Sequence, residues 1–329
     1  MKKFLFLVLA AALLLAGCQG APMETTPSTT AADISSYICH WENIPLNDGK
    51  LHYYFMSANG MLINPEHNYP EKWGDCCLIV FPNGQTMLVD SGNRPFAPVL
   101  VENLKKMGIE KLDYVVLTHL HRDHVGGVIA DDGVIHALPI GKVLTSGVSN
   151  GEYEDPQAIE NACAAANVPL EILKMGDILN IGEVKLQVLW PEPVLVGTTI
   201  SGTEEVNNAS LVFRLDYKDH SSLFVGDIYT AAEEQLLAKE GYRELLQVDL
   251  LKAPHHGGKT SNSLNFVGTV SPQVAVATGY TPIISAVRTA YELTSTVLLT
   301  DKTYGCIHIT TDGTAMEAEC QRSGALPLS

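Results

Sequence analysis

The segment LDYVVLTHLHRDHVGG, residues 112–127, places a histidine-rich turn directly after an apolar strand. Within six residues it offers three imidazoles and one carboxylate, from His119, His121, His124 and Asp123. Imidazole nitrogen and carboxylate oxygen are ligands that suit zinc, manganese or iron. A solvated loop that is rich in histidine by accident is the alternative, but uncoordinated imidazoles this close together would titrate near neutrality and repel each other. The segment therefore predicts a metal site at the end of a strand.

A second carboxylate follows a later apolar strand, as Asp227 in LFVGD, residues 223–227. Its two oxygens suit a bridge between two metal ions held about 3.5–4 Å apart, the spacing of two-metal hydrolases. A strand-end Asp is also a common helix N-cap, which is the alternative role.

A third strand end carries adjacent histidines, in KAPHHGGKTS, residues 252–261. Neighbouring side chains do not easily point the same way, so we expect one histidine to bind metal and the other to contact the substrate or support the first. We favour His255 as the ligand and assign His256 to catalysis. Lys259, Thr260 and Ser261 are candidates for holding a phosphate oxygen, with helix capping and solvent contact as the alternative.

Together with Gly74-Asp75 and LVDSG, residues 88–92, these segments resemble the metallo-β-lactamase superfamily over roughly residues 48–318. The stretches NNASLV, residues 207–212, and HHGGKTS, residues 255–261, are similar to the subgroup that includes the soluble domain of competence DNA-uptake proteins. The resemblance implies an α/β chain folded as a four-layer αββα sandwich, with the metals at the strand ends along one edge.

The resemblance also implies a ligand set for two divalent ions, zinc or manganese. His119 and His121 would bind one ion, Asp123, His124 and His255 the other, and Asp227 would bridge them. Asp90 would not bind an ion; it would orient the ligand side chains or have a structural role. A water activated between the ions would be the nucleophile. Asp123, Asp227 and His256 are then the catalytic candidates.

Two departures from the family pattern concern the substrate. The wider superfamily supplies another histidine to the first ion before the bridging Asp, whereas His220 in this interval is expected at a hairpin tip. Asn207, Asn208 or Ser210 is therefore expected to contact the metal, a water or the substrate. The Gly-His-Pro step of the subgroup is replaced by TGYTP, residues 278–282, where the Tyr280 hydroxyl is a candidate for contacting a leaving group and a loop aromatic is the alternative.

The N-terminus predicts an extracytoplasmic protein. Lys2 and Lys3 precede an apolar run over residues 4–15 and the small residues before Cys18. This order resembles a bacterial lipoprotein signal and implies cleavage before Cys18 and acylation of that cysteine. An ordinary secretory signal or an uncleaved anchor are the alternatives. The predicted organisation is a signal over 1–17, a flexible tether over 18–36 and a hydrolase domain over 37–329.

Composition limits the partners. A chain of 329 residues with 46% hydrophobic residues can build one large α/β domain. Its formal net charge of −16 argues against binding long duplexes, because neutralising phosphates requires clustered Lys and Arg. The expected partners are a small-molecule or phosphoester substrate, single-stranded nucleic acid, and the membrane through a lipid anchor at Cys18. No protein partner is evident from the sequence.

The predicted function is metal-dependent hydrolysis of phosphodiester or other phosphoester bonds. Hydrolysis of an ester, a lactone or a β-lactam amide fits the same metal ligands and stays open. A non-catalytic metal-containing binding protein of the cell envelope is the third possibility.

Apolar alternation predicts the secondary structure. Strands are expected over residues 51–56, 76–81, 85–89, 112–118, 170–173, 184–190, 211–215, 222–225, 248–252, 274–277 and 297–300, and helices over 99–107, 156–166 and 231–239. A loop is expected over 197–205. A hairpin is expected around Asp312-Gly313, and a disulfide between Cys306 and Cys320 across it, with pairing elsewhere or free buried thiols as the alternatives.

Overall fold

The computed structural model describes residues 37–57, 63–64, 69–70, 74–152, 157–279 and 282–328. Cys18, Tyr280 and the predicted signal and tether lie outside these ranges. Among the described residues, no helix combines the length and apolar character needed to cross a bilayer.

The strands alternate with helices along the chain. In chain order the strands are β1 Leu51–Phe55, β2 Ile63–Asn64, β3 Tyr69–Pro70, β4 Cys77–Val80, β5 Thr86–Val89, β6 Leu112–Leu117, β7 Ile140–Thr145, β8 Ser149–Asn150, β9 Leu170–Ile172, β10 Ile178–Ile181, β11 Val184–Trp190, β12 Thr199–Ile200, β13 Val212–Tyr217, β14 His220–Phe224, β15 Leu250–Lys252, β16 Val274–Ala277, β17 Val297–Thr300, β18 Ile307–Thr311, β19 Met316–Cys320 and β20 Gly324–Leu326. The helices are α1 Ala97–Lys106, α2 Arg122–Ile129, α3 Val134–Ala137, α4 Ala158–Ala166, α5 Thr203–Asn208, α6 Thr230–Ala238, α7 Tyr242–Leu246, α8 Leu264–Val270, α9 Ser285–Leu293 and α10 Asp301–Tyr304.

Most strands belong to two large sheets. The first has nine strands in the order β20-β19-β18-β1-β4-β5-β6-β7-β9, and the second has seven in the order β10-β11-β13-β14-β15-β16-β17. Each sheet contains a parallel block, β5-β6-β7-β9 in the first and β14-β15-β16-β17 in the second. The segments with the predicted ligands follow β5, β6, β14 and β15, so they leave the carboxyl ends of these blocks.

Three apolar cores lie between four layers of secondary structure. Side-chain alternation along β4 shows how, because Leu78 lies in the core under α1 and its neighbour Ile79 lies between the sheets with Phe213. On the far side of the second sheet, Leu251 packs in the third core with Phe266 of α8. The predicted αββα sandwich is confirmed.

The hairpin between β13 and β14 corrects the expectation for His220. Its turn is at Lys218-Asp219, and His220 pairs with Tyr217 inside the ladder. The side chain is buried, with Nε2 3.3 Å from the hydroxyl of Tyr53. His220 is therefore the first residue of β14 after the hairpin turn, and its buried side chain has a structural role.

The disulfide also differs from the expected one. Cys306 is bonded to Cys39, and Cys320 is a free buried thiol. The register of β18 with β19 pairs Cys320 with Ile307 rather than with Cys306. Cys320 therefore lies in the core between the sheets, while Cys306 lies in the first core with Cys39.

The remaining differences concern segments to which the sequence analysis assigned a loop or no element. Part of the predicted loop over 197–205 belongs to β12 and α5, and the elements that were not predicted include β7, β10, α2, α8 and α9. The helix predicted over 156–166 is α4, which begins at Ala158.

Candidate metal centre

The candidate site lies where the carboxyl ends of β5, β6, β14 and β15 meet. Asp90 follows β5, the segment from His119 to His124 follows β6, Asp227 follows β14, and the adjacent histidines follow β15. Each of these groups follows the last residue of its strand, so the four segments can converge at one edge of the two sheets.

His124 is held between two carboxylates. Its Nδ1 is 2.8 Å from Asp90 Oδ2, and its Nε2 is 3.2 Å from Asp227 Oδ2. Asp90 also accepts hydrogen bonds from the backbone N–H and the hydroxyl of Thr118, at 2.8 and 2.7 Å. Burial disfavours the charged form of His124, but Asp227 and Asp90 outweigh it and raise the pKa of this imidazole well above its usual value. Asp90 thus fixes the ring so that Nε2 faces the bridging candidate.

His119 and His121 face each other at the next position. Nε2 of His119 is 3.0 Å from Nδ1 of His121, and the rings meet edge to face. Burial is the main cause that lowers the pKa of both imidazoles, with the neighbouring His124 adding to it for His119. Both rings are therefore neutral, the state in which an imidazole binds a metal ion.

His256 completes the buried cluster. Its Nε2 is 3.0 Å from Asp227 Oδ2 and 3.3 Å from Asp123 Oδ2, and its Nδ1 is 3.0 Å from Asp75 Oδ1. Burial disfavours its charge, but Asp227 and Asp75 raise the pKa of His256 well above the usual value.

Asp75 is a residue to which the sequence reasoning gave no role. Its carboxylate accepts the Thr278 hydroxyl and forms an ion pair with Lys252, with Nζ 2.5 Å from Oδ2. Burial would raise the pKa of Asp75, but Lys252 and His256 lower it. The Gly74-Asp75 step of the family resemblance was the signal available, and only the fold shows that it reaches His256.

His255 faces a different direction from its neighbour. Its Nε2 is 4.0 Å from Asp227 Oδ2, its Nδ1 is 2.6 Å from Thr260 Oγ1, and its ring stacks on Tyr229 at 4.8 Å between centroids. His255 and His256 both adopt left-handed backbone, with φ of 47° and 55°. This conformation costs about 1–2 kcal/mol for each non-glycine residue, and it is what allows adjacent side chains to reach the same site.

The donor atoms fit a cation. Asp75, His124, Asp227 and His256 each offer one ligand atom, and these four atoms lie within 4.8 Å of one another. Oδ1 of Asp227 is buried without a hydrogen-bond partner in the described structure, and Nε2 of His256 faces the carboxylates of Asp227 and Asp123 at 3.0 and 3.3 Å. An unpaired buried acceptor is costly, and a divalent ion bound here would be a partner for Asp227 Oδ1.

A cleft of about 540 Å³ opens beside these residues. Its lining includes five predicted site residues, His121, Asp123, Asn207, Asp227 and His255, and five polar residues that were not predicted, Arg122, Asn150, Glu152, Thr203 and Tyr229. Arg122 lies inside the histidine-rich segment. The other four have no recognisable spacing in the sequence, because separate segments of the chain bring them together.

The predicted substrate contacts divide into two groups. Asn207 lines the cleft, and Thr260 borders it through His255. Asn208 and Ser210 instead support the backbone: Oδ1 of Asn208 accepts from Tyr229 N at 2.8 Å, and Oγ of Ser210 accepts from Asp227 N at 3.0 Å. Lys259 is exposed and is not among the cleft-lining residues, and Tyr280 lies outside the described residues.

Comparison with known proteins supports the family resemblance. The sequence profile described as "Metallo-beta-lactamase superfamily" matches residues 74–267. ComE operon protein 3 of Bacillus subtilis is 30% identical over 186 residues, which are 54% of this chain and 21% of that protein. Competence protein ComA of Neisseria gonorrhoeae is 30% identical over 212 residues, which are 62% of this chain and 25% of that protein.

Recombination protein 2 of Haemophilus influenzae is 28% identical over 204 residues, 60% of this chain and 22% of that protein. The chain thus spans about a quarter or less of the length of these relatives. Among solved structures, the metallo-beta-lactamase fold protein YhfI of Bacillus subtilis matches with a TM-score of 0.48 and 12% identity, over 76% of this chain and 95% of that one. The predicted similarity to the competence-protein subgroup is confirmed.

Proposed function

Because the chain belongs to the metallo-beta-lactamase superfamily, we propose that it is a metal-dependent hydrolase of phosphoester bonds, phosphodiesters foremost. The observation that carries the proposal is Asp227 Oδ1, a buried oxygen without a hydrogen-bond partner, in a cluster of four potential ligand atoms within 4.8 Å of one another beside an open polar cleft. A protein that used this cluster only to stabilise its fold would have paired this oxygen internally.

We propose the following ligands for two divalent ions, zinc or manganese. His119 and His121 would hold one ion, Asp123, His124 and His256 would hold the other, and Asp227 would be shared between them. His256 takes the place first given to His255 because its Nε2 is 1 Å nearer to Asp227 Oδ2, at 3.0 against 4.0 Å. When bound, such ions supply Lewis-acid chemistry, lowering the pKa of water and neutralising charge on a phosphoryl group.

The remaining cleft residues bind and orient the substrate. Arg122 supplies positive charge for a phosphoryl oxygen, and the Asn207 carboxamide supplies a hydrogen bond beside His121. When the Thr260 hydroxyl donates to Nδ1 of His255, the ring proton resides on Nε2, on the side of Asp227 and the cleft. The Nε2–H of His255 is then placed to donate a hydrogen bond to a substrate oxygen in the cleft.

Phosphoester substrates are supported by two further observations. Relatives of the chain are named for competence and recombination, and recombination is a reaction of nucleic acid. The net charge of −16 and a cleft of about 540 Å³ favour a small phosphoester or a single-strand end over a long duplex.

The assay compares three bond types with the full-length chain loaded with manganese or zinc. We expect turnover of bis-p-nitrophenyl phosphate and of single-stranded DNA, and none of the β-lactam nitrocefin. Turnover of nitrocefin alone would instead support amide hydrolysis, and no turnover of any substrate with both ions bound would support the binding-protein alternative.

The bridging role is tested by a matched pair of substitutions. Asp227→Asn is expected to abolish turnover and two-ion occupancy, measured as metal per protein after dialysis. Asp219→Asn makes the same charge change at the exposed turn of the same hairpin and should leave both unchanged. Full activity in Asp227→Asn would rule out the bridge.

We also propose that the domain over 37–329 is held at the membrane surface by acylation of Cys18 and the tether that follows. Cys18→Ser should move the protein from the membrane fraction to the soluble extracytoplasmic fraction. Unchanged fractionation would contradict the anchor.

A further inference from the structure

The loop that carries His255 and His256 has an unusual backbone. Three consecutive residues adopt left-handed conformations, with φ of 47° at His255, 55° at His256 and 79° at Gly257. Only the glycine favours this region, so the two histidines need restraint from outside the loop. The restraint matters because a change of φ at either position would turn the imidazoles away from Asp227.

Asn262 spans this strained segment. Its side chain is buried, and Nδ2 donates to the carbonyls of Pro254 and Gly258, both at 3.0 Å. These carbonyls lie immediately before and after the three left-handed residues. One carboxamide therefore fixes both ends of the turn.

Asn262 is itself fixed by two helices. Its Oδ1 accepts the hydroxyl of Tyr291 in α9 at 2.7 Å, and its backbone N–H donates to Oε1 of Glu233 in α6 at 2.6 Å. The second oxygen of Glu233 accepts from Ser263 N at 3.0 Å, and Glu233 is fully buried. Both polar atoms of the carboxamide and the backbone N–H of Asn262 are thus committed to neighbours, and the side chain connects the loop to α9.

We propose that Asn262 is a positioning residue of the metal centre, which holds the loop over 254–258 in the conformation that presents Nε2 of His256 to Asp227 and Asp123. The inference rests on the proposed metal-binding function. It adds a residue that touches neither ion nor substrate, and it assigns α6 and α9 a role in ion affinity through Glu233 and Tyr291.

Three substitutions test the role. Asn262→Asp keeps the shape and the acceptor but removes both Nδ2 donors. Asn262→Gly removes the side chain and tolerates the left-handed backbone of this position, φ 65°. Tyr291→Phe removes only the hydroxyl that fixes Oδ1. The control is Ser263→Ala, which deletes the neighbouring N-cap bond to Phe266 N and the Ser263 side-chain hydrogen bond to Glu233 but keeps both Nδ2 donors of Asn262.

Two measurements are made on the full-length chain. Calorimetric titration of the metal-free protein with Mn²⁺ and Zn²⁺ gives the affinity of each ion. Hydrogen exchange of the metal-free protein reports the protection of the Gly258 amide, which donates to His255 O at 2.7 Å. We expect both Asn262 variants to bind one of the two ions about 10- to 100-fold more weakly and to exchange the Gly258 amide faster, with a smaller effect in Tyr291→Phe. Ser263→Ala should match the wild type in both.

The outcomes separate this inference from the proposed function. Wild-type affinity and wild-type exchange in both Asn262 variants would overturn the positioning role while leaving the hydrolase proposal intact. A wild type that binds neither ion would overturn the hydrolase proposal, and the exchange data alone would then decide whether Asn262 restrains the loop. Equal losses of ion affinity and amide protection in Ser263→Ala and Asn262→Asp would mean that the effect reflects general destabilisation of the protein. That result would contradict the inference.

Discussion

Asp75 and Lys252 place a buried ion pair directly behind His256. Both residues are 4% exposed. Burial is the largest single influence on Lys252 and lowers its pKa, but Asp75 and Asp227 together raise the pKa above its usual value. Each charge is tolerated inside the protein because the other is present. The histidines and carboxylates of the centre were predictable, since each follows an apolar strand. The use of His256 and the contact with Asp75 were not, because they depend on a left-handed turn and on a residue distant in sequence.

Breaking the ion pair should destabilise the protein strongly. Asp75→Asn leaves the Lys252 ammonium buried without its carboxylate, and we expect a loss of about 3–5 kcal/mol in the free energy of unfolding by urea. Asp75→Asn combined with Lys252→Met removes both charges and should lose clearly less than the sum of the single variants. Strict additivity would mean that the pair is not coupled.

His220 should make the protein sensitive to acid. Burial lowers the pKa of this imidazole to about 4, although Asp249 acts in the opposite direction. The unfolded chain binds this proton near pH 6.5 and the native one only near pH 4, so stability falls as the pH falls between these values. Across this pH range the free energy of unfolding should fall by about 3 kcal/mol. Urea unfolding at pH 7 and pH 4 should show a smaller difference for His220→Gln than for the wild type, and equal differences would be inconsistent with a neutral buried His220.

Helix α2 illustrates how an element, rather than a residue, places the ligands. It begins directly after His121 and carries His124, and its Gly126 and Gly127 lie against the backbone of residues 91–94. The role of these glycines is close packing against the segment after Asp90. Strands with regular apolar alternation were also predictable from the sequence. Helix α5 was missed because its sequence, TEEVNN, is polar.

Filling this contact should displace the helix. A Cβ at Gly127 would lie 2.1 Å from Ser91 O, so we expect Gly127→Ala to lose at least about 2–3 kcal/mol of unfolding free energy. Gly268→Ala in α8 is the matched control, because a Cβ there meets nothing within 4 Å. It should gain about 0.5–1 kcal/mol from helix propensity. If Gly127→Ala leaves the free energy of unfolding unchanged in the urea titration, the contact between Gly127 and Ser91 is not closely packed.

At the scale of the whole molecule, the two sheets bring together ligands from both halves of the chain. The family resemblance predicted this sandwich, since the fold follows from motifs at strand ends. The disulfide was not predictable, because Cys39 and Cys306 are 267 residues apart and neither has a distinctive local pattern. Hairpin proximity favoured Cys320, but strand alternation points it into the other core.

Removing the disulfide should destabilise the entire domain. Closing so long a loop restricts the unfolded chain, and the loss on Cys39→Ser is expected to be about 2–5 kcal/mol in urea unfolding. Reduction of the disulfide in the wild type should have the same effect. The Cys320→Ala variant keeps this disulfide, so reductant should destabilise it as it does the wild type. Identical midpoints with and without reductant would show that the bond contributes nothing.

The disulfide also determines how the molecule responds to mechanical tension. A force that pulls on the chain before Cys39 and after Cys306 passes directly between the two sulfur atoms. The 267 positions of sequence separation between them, which include every segment of the metal centre, lie outside the loaded path. Pulling between the residues just before Cys39 and the last strands would therefore leave the candidate metal centre mechanically unloaded.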